Sequence, residues 1–154
     1  MIAPVTQQRL LTAVAFVGSV FIGNVCADAS APQVQLGDKT LHVEIADTAK
    51  KRTQGLSDRE PLATDQGMLF IFLNDGRYSI WMKDMKFSLD IIWINRFGKV
   101  VHIEHGVHPN TYPGKTFISD EPARYVLEVL AGVGEAVKVG DAVKFKNISA
   151  HVSH

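Results

Sequence analysis

Cysteine is almost absent from this chain. Its 154 residues contain one cysteine, Cys26, which lies at the point where an export signal would be removed. If the chain is cleaved after Ala27, the mature protein has no cysteine. That would exclude a disulfide framework, a thiolate nucleophile and a thiolate metal site.

An excess of charge of one sign is also absent. The chain has 16 lysines and arginines against 16 aspartates and glutamates, and a formal net charge of +0. Without a cluster of basic residues, this balance provides no electrostatic footprint for nucleic acid or for an anionic membrane face. We therefore expect no nucleic-acid partner.

Residues 1–27 are predicted to be a secretory signal peptide. Arg9 is followed by an uncharged apolar segment, and Val25 and Ala27 are the small residues that precede a cleavage site before Asp28. The export machinery and its peptidase recognise basic, apolar and small residues in this order. We expect a periplasmic or extracellular protein with no membrane anchor after cleavage.

Two other interpretations of this segment stay open. The segment could be retained as a membrane anchor, although Gly18 and Gly23 interrupt an apolar run that is short for a span of about 20 residues. It could also be lipidated at Cys26, although Asn24 and Val25 match a lipobox poorly.

The rest of the chain has the patterns of a mainly β protein. Alternating apolar residues predict a hairpin from residue 33 to residue 45, and the apolar runs 67–73 and 89–94 predict buried strands. A short helix is predicted to begin at Asp47 or Thr48 and to end at Gly55. Further strands are predicted over 78–82, 100–104, 125–130 and 143–148, with a turn at 74–76 and a loop over 106–121.

These elements predict a compact, antiparallel, β-barrel-like single domain with one or two short helices. The predicted domain covers residues 36–148. A linker over 28–35 precedes it, and a tail over 149–154 follows it.

An ordered series of short motifs resembles a known family. It consists of Arg52-x-x-Gly55-Leu56-x-x-Arg59, Gly67-Met68-Leu69-Phe70, Trp81-Met82-Lys83, Leu89-Asp90-Ile91-Ile92, Gly98-Lys99-Val100-Val101, Tyr125-Val126-Leu127-Glu128 and Gly140-Asp141. Over about 36–148 the chain is similar to the prokaryotic family known as domain of unknown function, family 192. The resemblance implies a compact, mostly β and often secreted domain without an established activity.

The chain departs from that family pattern at two places. Ser57 stands where members usually carry Met, and Asp84-Met85 stands where many have Asn-Thr. If these positions line a ligand site, the resemblance implies that the ligand preference of this chain differs.

The first candidate site is formed by Trp81, Lys83 and Asp90. On a strand, Trp81 and Lys83 would point to the same face. An exposed indole can stack on a sugar ring or another planar ligand, with Lys83 and Asp90 supplying polar contacts. The structural alternative is that Trp81 closes one end of the barrel while Lys83 pairs with Asp90 or Asp84.

Arg52 and Arg59 flank the predicted turn at Gly55. Two converging guanidinium groups would form a receptor for a carboxylate or phosphate, because each offers planar bidentate donors. The structural alternative is that one arginine is an internal strut, bonded to carbonyl groups or paired with Asp90 or Glu128.

Metal binding and hydrolysis are the remaining alternatives. Met82, Met85 and His102 are the candidate ligands for Cu(I) or Ag(I), which thioethers and imidazoles favour, but methionine in an apolar run is ordinary core filling. No metal or cofactor is predicted. A hydrolase would use Asp90 with a histidine or glutamate, yet none of the usual hydrolase or phosphate-binding motifs is present.

The sequence thus favours a binding protein over an enzyme. We expect an exported domain that binds a small polar or anionic ligand, or a partner in the cell envelope, through Arg52, Arg59, Trp81, Lys83 and Asp90.

Overall fold

The computed structural model describes residues 31–148, so the predicted signal peptide (1–27) and tail (149–154) lie outside it. The described elements are β1 (Gln33–Leu36), β2 (Lys39–Ala46), α1 (Ala49–Gln54), β3 (Gln66–Gly76), β4 (Ser79–Ile80), β5 (Leu89–Ile94), β6 (Val100–Val107), β7 (Phe117–Ile118), β8 (Ala123–Leu130) and β9 (Val143–Lys146). A 3₁₀ turn covers Pro109–Thr111. No helix within the described range is long and apolar enough to cross a membrane.

Seven strands form one curled sheet in the order β6-β5-β8-β3-β2-β1-β9, and β4 pairs with β7 in a separate two-stranded sheet. The two edges of the large sheet approach each other where β6 and β9 begin. There the N–H of Val100 donates to the carbonyl of Asp141 at 3.0 Å, and the N–H of Val143 donates to the carbonyl of Gly98 at 2.8 Å. The predicted mainly β, barrel-like fold is confirmed as a curled half-barrel.

One strand pair departs from the antiparallel arrangement that was predicted. β2 and β3 are parallel, with Val43 opposite Gly67 and Ile45 opposite Leu69. Parallel neighbours need a crossover connection of a dozen or more residues. The segment between β2 and β3, which contains α1, supplies that connection and lies beside the sheet.

The sheet separates two apolar clusters. The first cluster receives a residue from every strand of the large sheet, and it fills the inside of the curl; its members include Val34, Val43, Leu69, Ile92, Val100, Leu127 and Val143. The second cluster packs between the other face and the layer formed by α1, β4 and β7; its members include Leu56, Phe70, Ile80, Met82, Ile91, Trp93, Phe117 and Val126. Both faces of the central strands are therefore buried, which explains their continuous apolar sequences.

The short helix α1 has the predicted ends. The hydroxyl of Thr48 accepts from the N–H of Lys51 at 3.2 Å, and the chain leaves the helix at Gly55 with a φ of 49°. A side chain there would be strained, and a Cβ would lie 3.4 Å from the Phe70 ring. The cap therefore holds the end of α1 close to β3.

Several boundaries differ from the predicted ones. β1 begins at Gln33, so the last residues of the predicted linker belong to the sheet. The predicted turn at 74–76 is the end of β3, with a register irregularity after Ile71. The strand predicted over 78–82 shortens to Ser79–Ile80, because its partner β7 is equally short and lies inside the predicted loop.

Candidate functional site

A cleft of about 440 Å³ opens on the side of the second apolar cluster, beside α1 and β4. Its apolar lining includes Leu56, Phe70, Phe72, Tyr78, Ile80, Trp81 and Met85. Its polar lining includes Arg52, Ser57, Arg77 and Glu128. Apolar walls with a few polar groups, in a volume of this order, are typical of small-molecule sites.

Glu128 is the acidic residue of this lining. In β8, Leu127 belongs to the first cluster and Val126 to the second, so strand alternation directs Glu128 toward the second cluster and the cleft. Its neighbours across the strands are Met68 and Ile91, which are both buried. The Glu128 carboxyl thus lies among apolar side chains.

Burial changes the protonation of this carboxyl. Glu128 is 4% exposed, and burial raises its pKa from 4.5 to about 8, because the charged form loses its hydration. In the part of the chain that the structure describes, no cation offsets this effect. Near pH 7 the side chain is therefore mainly a neutral carboxylic acid, which can donate a hydrogen bond.

Within residues 31–148, the Glu128 carboxyl makes no hydrogen bond. Every fully sealed side-chain nitrogen or oxygen in that range does have a partner. The Glu128 oxygens are therefore not sealed, and the small exposure of the side chain comes from the cleft that it lines.

Arg52 is held against the cleft wall by backbone oxygens. Its Nη1 donates to the carbonyls of Asp47 at 2.7 Å and Ile71 at 2.8 Å. Its guanidinium also lies 5.1 Å from the ring centroid of Phe72, which stacks on Tyr78 with the ring centroids 3.5 Å apart. The predicted structural role as a strut bonded to carbonyls is therefore real, yet it occupies only Nη1, and Nε and Nη2 make no hydrogen bond within the described chain.

Arg77 and Trp81 complete the polar and aromatic rim. The Nε of Arg77 donates to the carbonyl of Ser119 at 3.0 Å, and its Nη2 lies 3.5 Å from the Asp120 carboxylate, a side chain that is 91% exposed. Trp81 is 49% exposed and meets Tyr112 edge to face, with the ring centroids 6.5 Å apart. The indole is therefore accessible and does not close an end of the barrel.

The model of domain of unknown function 192 (DUF192), described as uncharacterized ACR, matches residues 32–145. The chain belongs to this family. The match confirms the resemblance that the ordered motifs predicted.

Two solved structures share the fold of this DUF192 domain. One is named a candidate transcription regulator from Sinorhizobium meliloti 1021; it is 31% identical, covers 74% of this chain and 91% of its own, and has a TM-score of 0.68. The other is a protein of unknown function from Novosphingobium aromaticivorans DSM 12444, with 26% identity, 73% and 82% coverage and a TM-score of 0.67. Among curated proteins, none matches the chain.

The five side chains predicted to form one site in this DUF192 domain do not all meet. Arg52 and Trp81 line the cleft, whereas Arg59, Lys83 and Asp90 do not. The shared face that was predicted for Trp81 and Lys83 does not exist, because β4 ends before both of them.

Asp90 lies on the opposite side of the sheet from the cleft. In β5, Leu89 and Ile91 belong to the second cluster and Ile92 to the first, so Asp90 points toward the first. It is 1% exposed, and its carboxylate accepts hydrogen bonds from three backbone N–H groups. The predicted pairing with an arginine or with Lys83 is corrected: the hydrogen-bond donors to Asp90 are backbone groups, and the ionisable side chain near it is His105.

Arg59 is engaged elsewhere on the surface. Its Nη1 lies 2.5 Å from Oε1 of Glu44. The hydrogen bond to Glu44 raises the pKa of Arg59 above its usual value. Because both side chains are exposed, this ion pair contributes little to stability, and the two arginines predicted to converge do not.

The candidate metal ligands are dispersed. Met82 is a buried member of the second cluster, Met85 lines the cleft, and His102 packs edge to face on Trp93. Between residues 31 and 148, no group of three or more His, Cys, Asp or Glu side chains could hold a metal ion.

The residues predicted for a hydrolase do not line the cleft. His105 Nδ1 is 3.7 Å from the Asp90 carboxylate, but neither residue lines the cleft. Ser57 does line it, and its hydroxyl donates to the carbonyl of Lys83 at 2.8 Å rather than to a base. The described residues of the cleft therefore bring no nucleophile and base together.

Sequence reasoning missed Glu128 and Arg77 as site residues. A usable signal existed for Glu128, since it is the one acidic residue in the otherwise apolar second half of β8. A carboxyl in a buried strand is a candidate for a perturbed pKa and hence for a functional site. Arg77 carried no comparable signal, because a charged residue after an apparent turn is ordinary.

Proposed function

We propose that this protein binds a small anionic ligand with a planar or apolar body in the cleft. The observation that carries the proposal is that two arginines, Arg52 and Arg77, and the exposed Trp81 line the same cleft. The sequence suggested this ligand class from a different set of residues. Two of those residues, Arg52 and Trp81, remain in the proposal.

The charge of the cleft supports the proposal that the ligand is an anion. Arg52 and Arg77 are positive, and burial raises the pKa of Glu128 to about 8, which keeps that carboxyl mainly neutral near pH 7. Among the described residues, the lining contains no other acidic or basic side chain. A chain with a net charge of +0 therefore presents a locally positive cleft.

The residues of the cleft walls support the proposal that the ligand has a flat or apolar body. Trp81, Phe72 and Tyr78 offer aromatic faces, and aromatic rings prefer offset or edge-to-face contact with other planar groups. Two of the departures from the family pattern, Ser57 and Met85, also lie in this lining. A difference in ligand preference within the family is expected at such positions.

The test is a thermal-shift comparison of small acids on the purified protein. Benzoate and phenyl phosphate at about 10 mM should raise the melting temperature by about 4 °C if the dissociation constant is near 1 mM. Benzamide, glucose and benzylamine should give smaller shifts, since they lack the negative charge.

Matched variants locate the binding. Trp81→Ala and Arg77→Gln should abolish the shift, whereas Phe97→Ala and Arg96→Gln should keep it, because those exposed residues lie outside the cleft. If benzylamine or glucose stabilises the protein more than the acids do, or if the Trp81 variant responds like the parent, the proposal is wrong.

The proposal includes a second class of partner. This is a component of the cell envelope that presents such an anionic group. Trp81 and Tyr112 are both partly exposed and in contact, so the mouth of the cleft is open to a larger molecule. Nucleic acid stays outside the proposal despite the regulator name of one solved neighbour, because 16 basic and 16 acidic residues provide no excess positive charge.

We also propose that the protein acts in the periplasm or outside the cell. The support is the order of basic, apolar and small residues in the N-terminal segment. Intact-mass measurement of the protein from its host should show Asp28 as the first residue, and Ala27→Arg should prevent that cleavage. A mass that retains residues 1–27, or a lipid attached to Cys26, would contradict the prediction.

A further inference from the structure

We propose that Glu128 determines the ligand specificity of the cleft by donating a hydrogen bond to a neutral oxygen of the ligand. The inference rests on the function proposed above and narrows its ligand class. The ligand would be an organic acid with a planar or apolar body that carries its anionic group at one end and a carbonyl or ether oxygen at the other.

The position of Glu128 is the first argument. The side chain is 4% exposed, lines the cleft and makes no hydrogen bond within residues 31–148. A carboxyl that has no partner in the described chain and opens into a cleft is positioned to form a hydrogen bond with a ligand.

Between residues 31 and 148, no protein group takes the role of partner to the Glu128 carboxyl. The strands on either side contribute apolar side chains to the same face, among them Met68, Phe70 and Phe72 from β3 and Leu89, Ile91 and Trp93 from β5. The titratable groups that share the cleft are Arg52, Arg77 and Tyr78.

The hydrogen bonds that these three side chains make go to groups other than Glu128. The Tyr78 hydroxyl donates to the carbonyl of Asn74 at 2.6 Å. Arg52 donates to the backbone beside α1 and β3, and Arg77 donates to Ser119. The ion pairs and hydrogen bonds of the two arginines go to groups other than Glu128, and burial is the cause that raises the pKa of Glu128.

Because the arginines and the Glu128 carboxyl act separately, the ligand needs two different polar groups. The guanidinium groups attract an anion at one place in the cleft, and the neutral carboxyl offers a proton at another. A carbonyl or ether oxygen accepts that proton without carrying a charge into the apolar floor, whereas a second carboxylate would pay for its desolvation. A ligand with both groups satisfies the cleft at both places.

The protonation state sets the direction of the pH dependence. Because burial raises the pKa of Glu128 to about 8, the donor is present near pH 7 and is lost as the pH rises through that value. The ionised carboxylate only accepts hydrogen bonds and would repel the ligand oxygen. Affinity should therefore fall above about pH 8 while both arginines stay charged.

The experiment compares two acids of the same shape by calorimetry on the purified protein. Para-acetylbenzoate has a carbonyl oxygen where para-isopropylbenzoate has a methyl group. At about pH 6.5 the parent protein should bind the acetyl compound about tenfold more tightly, and this preference should shrink about tenfold by pH 9.

Two variants of Glu128 distinguish the effect of hydrogen-bond donation from the effect of titration. Glu128→Gln keeps a donor that does not titrate, so it should retain the preference for the acetyl compound at both pH values. Glu128→Met keeps the length of the side chain without a polar group, so it should bind the two acids equally. Melting curves of each variant confirm that it is folded.

The outcomes distinguish this inference from the proposed function. If the parent protein binds both acids equally, or if Glu128→Met keeps the preference, Glu128 does not recognise the ligand, and the anion-binding cleft still stands. If the parent protein binds neither acid, the proposed function fails and the role of Glu128 with it.

Discussion

Replacing Asp90 by alanine should lower the free energy of unfolding by about 4 kcal/mol. The Asp90 carboxylate accepts hydrogen bonds from the backbone N–H groups of Gly106, Gly132 and Gly134, each at 2.8 Å. Removing it leaves these donors without their partner. Water can reach Gly106 and Gly132, which are exposed, but Gly134 is buried. Losing the hydrogen bond to the Gly134 N–H therefore costs the most stability.

The position of Asp90 explains why the effect reaches beyond one side chain. Its three bonds tie β5 to its neighbour β6 and to the turn that follows β8. The turn approaches closely, since a Cβ on Gly134 would lie 3.3 Å from the Asp90 carboxylate and 3.2 Å from Ile92. Without the carboxylate, both segments lose their side-chain anchor to β5.

Urea denaturation measures this effect, with Asp90→Asn and Asp120→Ala as companions. The asparagine keeps one acceptor oxygen, so it should lose about 2 kcal/mol. The Asp120 side chain is 91% exposed, so its removal should change stability by less than about 0.5 kcal/mol. A loss below about 1 kcal/mol for Asp90→Ala would contradict the anchoring role.

Replacing Glu128 by glutamine should have the opposite effect and raise the free energy of unfolding by about 3 kcal/mol near pH 8. Burial raises the pKa of Glu128 from 4.5 to about 8 in the folded protein. Between those two values the folded state binds a proton that the unfolded state has already released. The stability contributed by Glu128 is therefore complete below the unfolded pKa and is lost as the pH rises through the folded one.

Melting and urea curves from about pH 5 to pH 8 test this sign. The parent protein should lose about 3 kcal/mol relative to Glu128→Gln across this window, while the two should agree within about 1 kcal/mol near pH 5. Glu60→Gln, at a side chain that is 85% exposed, controls for the loss of one carboxyl elsewhere. If the difference between parent and Glu128→Gln does not change with pH, the Glu128 carboxyl is not protonated in the fold.

These two carboxyls show how differently a buried acid can be used. Asp90 has three backbone partners and holds segments of the chain together. Glu128 has no partner in the described chain, and its pKa shift marks a cost to stability. A residue that lowers stability without a structural bond is expected at a functional site, where a ligand provides the compensation.

Local patterns predicted the elements that depend on local chemistry. The largely apolar run 89–94 coincides with β5, because a strand buried on both faces needs apolar residues at most of its positions. The ends of α1 followed from Thr48 and Gly55, since a hydroxyl cap and a positive φ are decided within a few residues. The strand over 78–82 failed, because its length depends on β7, a partner far along the chain.

The sequence predicted only some residues of the candidate site, because residue type is a local property whereas the direction of a side chain depends on distant packing. Trp81 and Arg52 belong to the cleft, as their residue types suggested. The face to which Asp90 points depends on which cluster covers each side of β5, and no residue near Asp90 carries that information. Glu128 was missed because a carboxyl in a strand looks like a surface residue until the layer of α1 and β4 covers it.

The sequence by itself determined the family, the mainly β composition, the helix caps and the neutral charge, because motif order, residue periodicity and residue counts are properties of the chain. Only the tertiary structure decided the parallel pairing of β2 with β3, the separation of Asp90 from Trp81 and the burial of Glu128. These features depend on which distant segments pack together, and packing is what removes a side chain from water and sets its charge.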